Sequence, residues 1–223
     1  MTRARTEITR LREKARTDRA ELDALLDAAR VGHFGLVDAA GRPVVIPTAI
    51  ARDGDRLLLH GSTGSHWMRS LAEGGPTCVT VTELDGLVIA RSAFESSMHY
   101  RSAVLFGACS ALPPDEIAPA LDLITETLLP GRSAEVRRPT RRELEATLVL
   151  ALPITEWSLK VSAGWPDDPP EDVAGDVWAG VLPIVRGYGT PNPAPDLRPG
   201  IALPPSVGLI ESPRRSQTES GPR

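Results

Sequence analysis

The chain has 223 residues, of which 41% are hydrophobic and 24% are charged, values typical of a globular protein with one domain-sized core. Its formal net charge of −4 gives no overall attraction to nucleic acid or anionic lipid, so we expect neither as a partner. The sequence shows no secretory h-region and no apolar run of about 18 residues, which predicts a cytoplasmic protein without a membrane span.

The N-terminal half begins with charge and then turns to regular structure. We expect residues 1–17 to be a flexible basic segment and residues 18–30 to form an amphipathic helix, with Asp18 and Glu21 as an Asp variant of the capping box. After Gly32 come short runs of β-branched and aliphatic residues separated by Asp/Gly turns. These runs predict six strands: His33–Val37, Pro43–Ala51, Arg56–His60, Thr77–Thr82, Gly86–Arg91 and Ala103–Cys109.

Two helical patterns interrupt the strands, at His66–Glu73 and at Pro113–Leu129, and the second carries an apolar stripe. A further capping box, formed by Thr140 and Glu143, marks another helical turn. Several short strands at this spacing are typical of a small barrel or sandwich rather than of βαβ units. Two more strands are predicted to close the domain: Thr147–Leu152 and Trp157–Ala163.

The C-terminal part differs in composition, because many of the 21 prolines follow residue 165. We expect the domain to span residues 18–164 and residues 165–204 to form a Pro-rich arm that packs on the barrel or on a dimer partner. Residues 205–223, rich in Ser, Arg and Pro, are predicted to be a disordered tail. Three of the four tryptophans suit an interface or the packing of the arm equally well: Trp157, Trp165 and Trp178.

The stretch most suggestive of chemistry is LLLHGSTGSHWMRSL, from Leu57 to Leu71. An apolar strand enters a Gly- and Ser-rich loop and a helix follows, so amides and hydroxyls could converge on a phosphate group. Arg69 could reach back to pair with such a dianion, and His60 could add a donor. An ordinary strand–turn–helix connection accounts for the same residues equally well, and the spacing fits neither a P-loop nor a dinucleotide-binding motif.

Other polar groups carry weaker signals. The four histidines and two cysteines show no metal-ligand spacing, so no metal site is predicted, and Cys78 and Cys109 are interpreted as core thiols. His60, at a strand end, is a better ligand candidate than His66, which we expect on a helix surface. Pro47 within a predicted strand indicates an edge or a bulge, positions that often line a ligand.

Three ordered stretches together resemble one family: L-x-HGS at residues 58–62, Y-R-S-x-V-x-F-G at residues 100–107, and K-V-x-x-G-x-P-x-D at residues 160–168. Over roughly residues 18–205 the chain resembles the pyridoxamine 5'-phosphate oxidase-related, FMN-binding split-barrel flavoproteins. Within that family it is most similar to the flavin-nucleotide-binding and nitroimidazole-resistance-like group.

The resemblance implies a mainly β fold with helices, a six-stranded Greek-key split β-barrel, whose homodimer interface holds two FMN molecules. It implies that one strand runs beside the isoalloxazine and that the loop after the next strand holds the ribityl phosphate. The implied contacts are Pro47, Thr48 and Ala49 at the ring; Leu59, His60, Gly61, Ser62, Ser65 and Arg69 at the phosphate; and Tyr100, Arg101 and Ser102 near the pocket or the interface.

The resemblance does not extend to a particular reaction. The C-terminal substrate motif of true pyridoxamine phosphate oxidases is missing, so vitamin B6 oxidation is not expected. We expect a flavin-dependent oxidoreductase that reduces a small-molecule substrate with a nicotinamide donor, and we identify no catalytic residue. Two alternatives stay open: a non-catalytic flavin or haem binding or sensing protein, with His60 or His99 as axial ligand, and a deazaflavin-dependent reductase.

Overall fold

A computed structural model describes residues 4–211 of the chain. The strands are β1 (Ala15–Arg16), β2 (Val31–Val37), β3 (Pro43–Asp53), β4 (Arg56–Ser62), β5 (Pro76–Ile89), β6 (Ser97–Ala108), β7 (Ser110–Ala111), β8 (Thr147–Pro153), β9 (Glu156–Ser162) and β10 (Gly180–Pro183). The helices are α1 (Arg19–Ala28), α2 (His66–Ala72), α3 (Pro114–Leu128), α4 (Arg141–Glu145), α5 (Pro170–Val173) and α6 (Pro205–Glu211), with 3-10 turns at Arg12–Lys14 and Arg132–Ala134.

All ten strands join one antiparallel sheet in the order β1-β9-β6-β5-β2-β3-β4-β8-β7, and β10 is added beside β5. Seven strands have seven residues or more, whereas β1, β7 and β10 are short additions. The predicted mainly β split barrel with helices is confirmed, with ten strands in place of the expected six.

Strand β3 is long and changes its partner part-way along. Residues 43–49 pair with β2, and residues 50–53 pair with β4. Along residues 43–49 no described strand pairs with the second edge, so Pro47 can turn its nitrogen, which carries no hydrogen, toward that free edge. The sheet therefore splits between β3 and β4.

Strand β4 is covered on both faces. Leu57 and Leu59 are fully buried in the main core, whereas Leu58 is fully buried on the opposite face, in a second apolar cluster with Ala120 and Ile124 of α3. Because alternate side chains of a strand point to opposite faces, one strand can serve both cores.

Helix α1 closes over the main core with its predicted leucine face. Asp18 caps its start by accepting the Ala20 amide N–H at 2.9 Å, and Glu21 pairs with Arg16 rather than completing a capping box. Three leucines of this helix are fully buried: Leu22, Leu25 and Leu26.

Two sequence predictions about strands β5 and β6 are wrong. Asp85 and Gly86 do not form a turn between two strands, because β5 runs through both residues with a β-bulge beside them. A Cβ atom at Gly86 would lie 3.0 Å from the Leu182 carbonyl oxygen, so glycine allows β10 to pair closely with β5. Strand β6 begins at Ser97, whereas the sequence predicted a strand only from Ala103. Residues 97–102 are therefore part of the strand and not a segment that precedes it.

The segments that precede and follow the main strands also contact the sheet. Strand β1 pairs with β9, and β10, which lies in the Pro-rich arm, pairs with β5. The segment expected to be a disordered tail begins with α6, and residues 212–223, like residues 1–3 of the N-terminal segment, lie outside the described residues. Within residues 4–211 no helix is both long and apolar enough to cross a membrane.

Candidate cofactor site

The split between β3 and β4 brings two of the predicted site segments together. Ala49 and His60 come directly after the last residue pair of the β3–β4 ladder and lie on either side of the split. Pro47 and Ala49 share the outward face of β3, whereas Thr48 points toward the main core. The strand predicted to run beside a flavin ring and the end of β4 therefore meet at one place.

His60 faces away from the main core. It lies two residues after Leu58, on the same face of β4, and it lines a cavity of about 570 Å³ beside α3. The Nδ1 atom of His60 is buried and has no hydrogen-bond partner among the described residues. Burial lowers the pKa of His60 below its usual value of 6.5, so the imidazole is neutral at physiological pH.

The rest of the cavity is lined mainly by α3 and by residues 130–140, which we call the lid. A volume of this size is in the range of small-molecule and cofactor sites. Besides His60, the lining consists of five apolar residues, Leu121, Ile124, Leu128, Val136 and Pro139, and four polar ones, Thr125, Arg137, Glu143 and Thr147.

One ion pair lies in the cavity lining. Arg137 donates hydrogen bonds of 2.8 and 2.6 Å to the Glu143 carboxylate, which also accepts the Thr140 amide N–H at 2.7 Å in the predicted capping box. These contacts, that of Arg137 foremost, lower the pKa of Glu143 to about 2. Because the Arg137 side chain is 69% exposed, the pair stabilises little, and another anion at the guanidinium would have to displace the Glu143 carboxylate or bind beside it.

The predicted phosphate loop is folded on itself. Gly64 and Ser65 both donate their amide N–H groups to Ser62, to its Oγ at 3.1 Å and its carbonyl oxygen at 2.9 Å respectively. Arg69 reaches back to the loop, as its position predicts, and donates to the Thr63 carbonyl oxygen at 3.0 Å. The groups left for an anion are the Ser65 hydroxyl, which makes no capping bond to α2, and the rest of the Arg69 guanidinium.

Two of the predicted phosphate contacts are core positions. The Leu59 side chain is fully buried in the main core, so only its backbone could contact the predicted phosphate. Gly61 faces the main core, where a Cβ atom would lie 3.0 Å from Cγ of Met68, so the glycine makes room for the packing of Met68.

The Tyr100–Ser102 stretch lies in β6, three strand spacings (roughly 14 Å) from β3 across the sheet. The Ser102 hydroxyl lies 3.0 Å from that of Thr82 on the outward face, the same face as Pro47. Arg101 donates two hydrogen bonds to the Asp85 carboxylate, at 2.9 and 2.8 Å. The fold does not bring these residues next to His60.

The other histidines are placed differently. The Nε2 atom of His99 lies 3.0 Å from the Gly164 nitrogen and 2.7 Å from its carbonyl oxygen, so this ring ties β6 to the start of the C-terminal arm. His33 and His66 are exposed. Among the residues that the structure describes, no group of three or more His, Cys, Asp or Glu side chains is arranged to hold a metal ion.

Sequence analysis missed the lid and most of the cavity lining. The predicted α3 stripe ends at Leu128, which is 40% exposed and lines the cavity, but the sequence gives no signal that separates this residue from the buried part of the stripe. Nothing in the sequence links Arg137 to His60.

The chain matches the family model described as pyridoxamine 5'-phosphate oxidase over residues 18–161. The chain therefore belongs to the pyridoxamine 5'-phosphate oxidase family. Comparison with curated protein sequences gave no match.

Several solved structures are similar to this chain. The FAD and haem binding protein from Mycobacterium smegmatis is 52% identical, with a TM-score of 0.85 over 88% of this chain and 97% of that one. The flavocytochrome Anf3 from Azotobacter vinelandii is 37% identical, with a TM-score of 0.86 over 92% and 96% of the two chains. A protein assigned to 5-nitroimidazole antibiotic resistance from Bacteroides thetaiotaomicron shares the fold at 20% identity, with a TM-score of 0.57 over 66% and 86%.

The buried state of His60 predicts a pH dependence of stability. Since its pKa is lower in the folded chain than in the unfolded chain, the unfolded state binds more protons, and stability falls as the pH drops below about 6.5. We expect the midpoint temperature of thermal unfolding to fall less between pH 7.5 and pH 5 in His60→Gln than in the wild-type protein. Equal losses in the two proteins would contradict the assignment.

Proposed function

We propose that this protein is a flavin- and haem-binding redox protein, with haem in the His60 cavity. One observation carries the proposal: a half-buried, neutral imidazole, whose buried Nδ1 has no hydrogen-bond partner among the described residues, lines a cavity of about 570 Å³ that is lined about equally by apolar and polar residues. The names of the two similar proteins, a FAD and haem binding protein and a flavocytochrome, support the same pair of cofactors.

The cavity residues fit haem in three respects. A haem needs an axial ligand, and His60 offers a neutral imidazole, the form that binds iron. The porphyrin needs apolar surroundings, which α3 supplies with side chains such as Leu121 and Ile124. The haem propionates are anionic, and Arg137 is the one permanently charged cation among the described lining residues.

Haem supplies one-electron chemistry, and a flavin can exchange electrons singly or in pairs. The chain's own residues hold and shield the cofactor. His60 keeps a lone pair available because burial disfavours its protonation; with haem bound, the α3 side chains would shield the cofactor from water and Arg137 would pair with an anionic group at the cavity.

Haemin titration tests the role of His60. We expect haemin to bind with one equivalent per chain and to give the Soret band of a histidine-ligated haem, and we expect His60→Ala to lose that band. His99→Ala is the matched control, because His99 is also part-buried but its Nε2 bonds to Gly164. If His60→Ala kept the wild-type spectrum and affinity, the proposed haem site would be wrong.

We propose that the flavin lies on the outward face beside Pro47 and Ala49, with its phosphate at the loop after β4. Family membership, the free Ser65 hydroxyl and the position of the Arg69 guanidinium support this placement. The sequence resemblance favours FMN, whereas the Mycobacterium protein is named for FAD. The mass of the flavin released on denaturation distinguishes the two.

Replacing Arg69 tests the phosphate contact. We expect Arg69→Gln to weaken flavin binding by about tenfold, since a hydrogen bond from a charged donor to the phosphate is lost. Arg42→Gln is the control, because Arg42 is an exposed loop arginine paired with Asp38, away from the split. Flavin fluorescence quenching measures both affinities, and equal affinities would refute the contact.

We also propose that a second copy of the chain covers the flavin, as the family resemblance implies. The outward face of β2 and β3 leaves apolar side chains in water, with Val31 46% and Val45 62% exposed. Trp165 and Trp178 are also exposed, at 62% and 66%, which suits an interface better than packing of the arm on its own barrel.

A charge on this face tests the dimer. We expect Val45→Glu to yield monomer with weakened flavin binding, because a carboxylate would be buried without a partner at the interface. Val45→Thr keeps the β-branched shape and should remain dimeric. Light scattering at micromolar concentration measures the mass, and a monomeric wild-type protein would contradict the proposal.

The reaction stays a prediction of the sequence resemblance. A reductase fed by a nicotinamide donor and acting on a small molecule remains our expectation, beside a non-catalytic cofactor-binding protein and a deazaflavin-dependent enzyme. The proposed haem site gives the binding or sensing alternative specific support, because His60 offers a ligand.

A further inference from the structure

The lid is attached to the body at both of its ends. At its start, Glu126 of α3 accepts the amide N–H of Ser133 at 2.9 Å and that of Gly131. At its end, Arg137 is bound to Glu143 and Arg138 to Asp122. The carboxylates in these contacts belong to α3 and α4, and both helices contribute residues to the cavity lining.

The middle of the lid is held by the far end of the chain. Glu135 accepts the amide N–H of Ser206 at 2.8 Å, and the Ser206 hydroxyl donates to the same carboxylate. Ser206 is only 1% exposed. Gly131, with φ +86°, lies close beneath Ser206 and Leu209, so α6 packs onto the lid as well as bonding to it.

The two partners depend on each other. The first amide groups of a helix have no partner within the helix and carry partial positive charge, so the Glu135 carboxylate stabilises the start of α6. The same contact holds Glu135, and with it the lid, against α6. Residues 184–204, which join β10 to α6, are almost all exposed. The contact between Glu135 and Ser206 can therefore open without disturbing the sheet.

We propose that α6 is a latch, whose contact with Glu135 holds the lid over the His60 cavity and limits how fast a ligand enters and leaves. The identity of the ligand, haem, rests on the proposed function, whereas the latch itself does not. Glu135 acts through Val136 and Arg137, the next two residues, which line the cavity.

Three substitutions in the full chain test the latch. Glu135→Ala removes both contacts to Ser206. Ser206→Ala removes only the hydroxyl contact and spares the 3.3 Å pair between Arg132 and Glu135. Glu145→Ala is the control, because it removes an equal charge that is paired with Arg141 outside the lid.

Trypsin cleavage after Arg132 and Arg137 in haem-free protein reports lid opening. Transfer of haemin from loaded protein to apomyoglobin reports ligand release. We expect Glu135→Ala to speed both by about tenfold, Ser206→Ala to speed both by a smaller factor, and Glu145→Ala to match wild type. Hydrogen exchange of β5 should be unchanged in all three.

Wild-type rates in Glu135→Ala, or a matching rise of exchange in β5, would overturn the latch. A wild-type rate in Ser206→Ala would also overturn it, since the Arg132 pair would then account for the Glu135 effect. If wild-type protein took up no haemin, the proposed function would fail, and the cleavage rates would still decide the latch.

Discussion

The change of partner in β3 is the constraint on which the site depends. Residues 43–49 of β3 pair with β2, and β3 pairs with β4 only from Ile50, which lies opposite Leu59. The end of β4 beyond Leu59 therefore has no strand beside it on the β3 side. His60 is the first residue beyond the last pair, and α3 rather than another strand lies over it. If the residues of β3 from Ala49 toward its start paired with β4, they would lie beside His60 and narrow the cavity.

In the chain without a ligand, the burial of His60 costs free energy of folding. A buried polar atom without a partner costs about 1–3 kcal/mol, and the surrounding leucines offer it none. The loop after β4 shows the opposite behaviour, because Ser62 and Thr63 already bond most of its donors and acceptors. The proposed division of labour, iron at His60 and phosphate near Arg69, follows from this contrast.

The lid connects this site to the last described helix. Its ends are fixed by α3 and α4, and its middle by α6, which is 71 residues away in sequence at the Glu135–Ser206 contact. The cavity is thus formed by β4 and α3 but closed by a segment whose position depends on the C-terminal part of the chain.

The sequence by itself determined strands such as β2, β4, β8 and β9, the α1 leucine face and the Thr140–Glu143 capping box, because alternation, helical periodicity and caps are local patterns. It did not determine which face of β4 each residue occupies. Three successive leucines give no alternation when both faces are buried, so the sequence did not show that Leu59 faces the main core and His60 the cavity. The bulge at Gly86 likewise depends on contact with β10. Only tertiary packing set Arg137 and α3 beside His60, since residues so far apart in sequence meet through long-range burial.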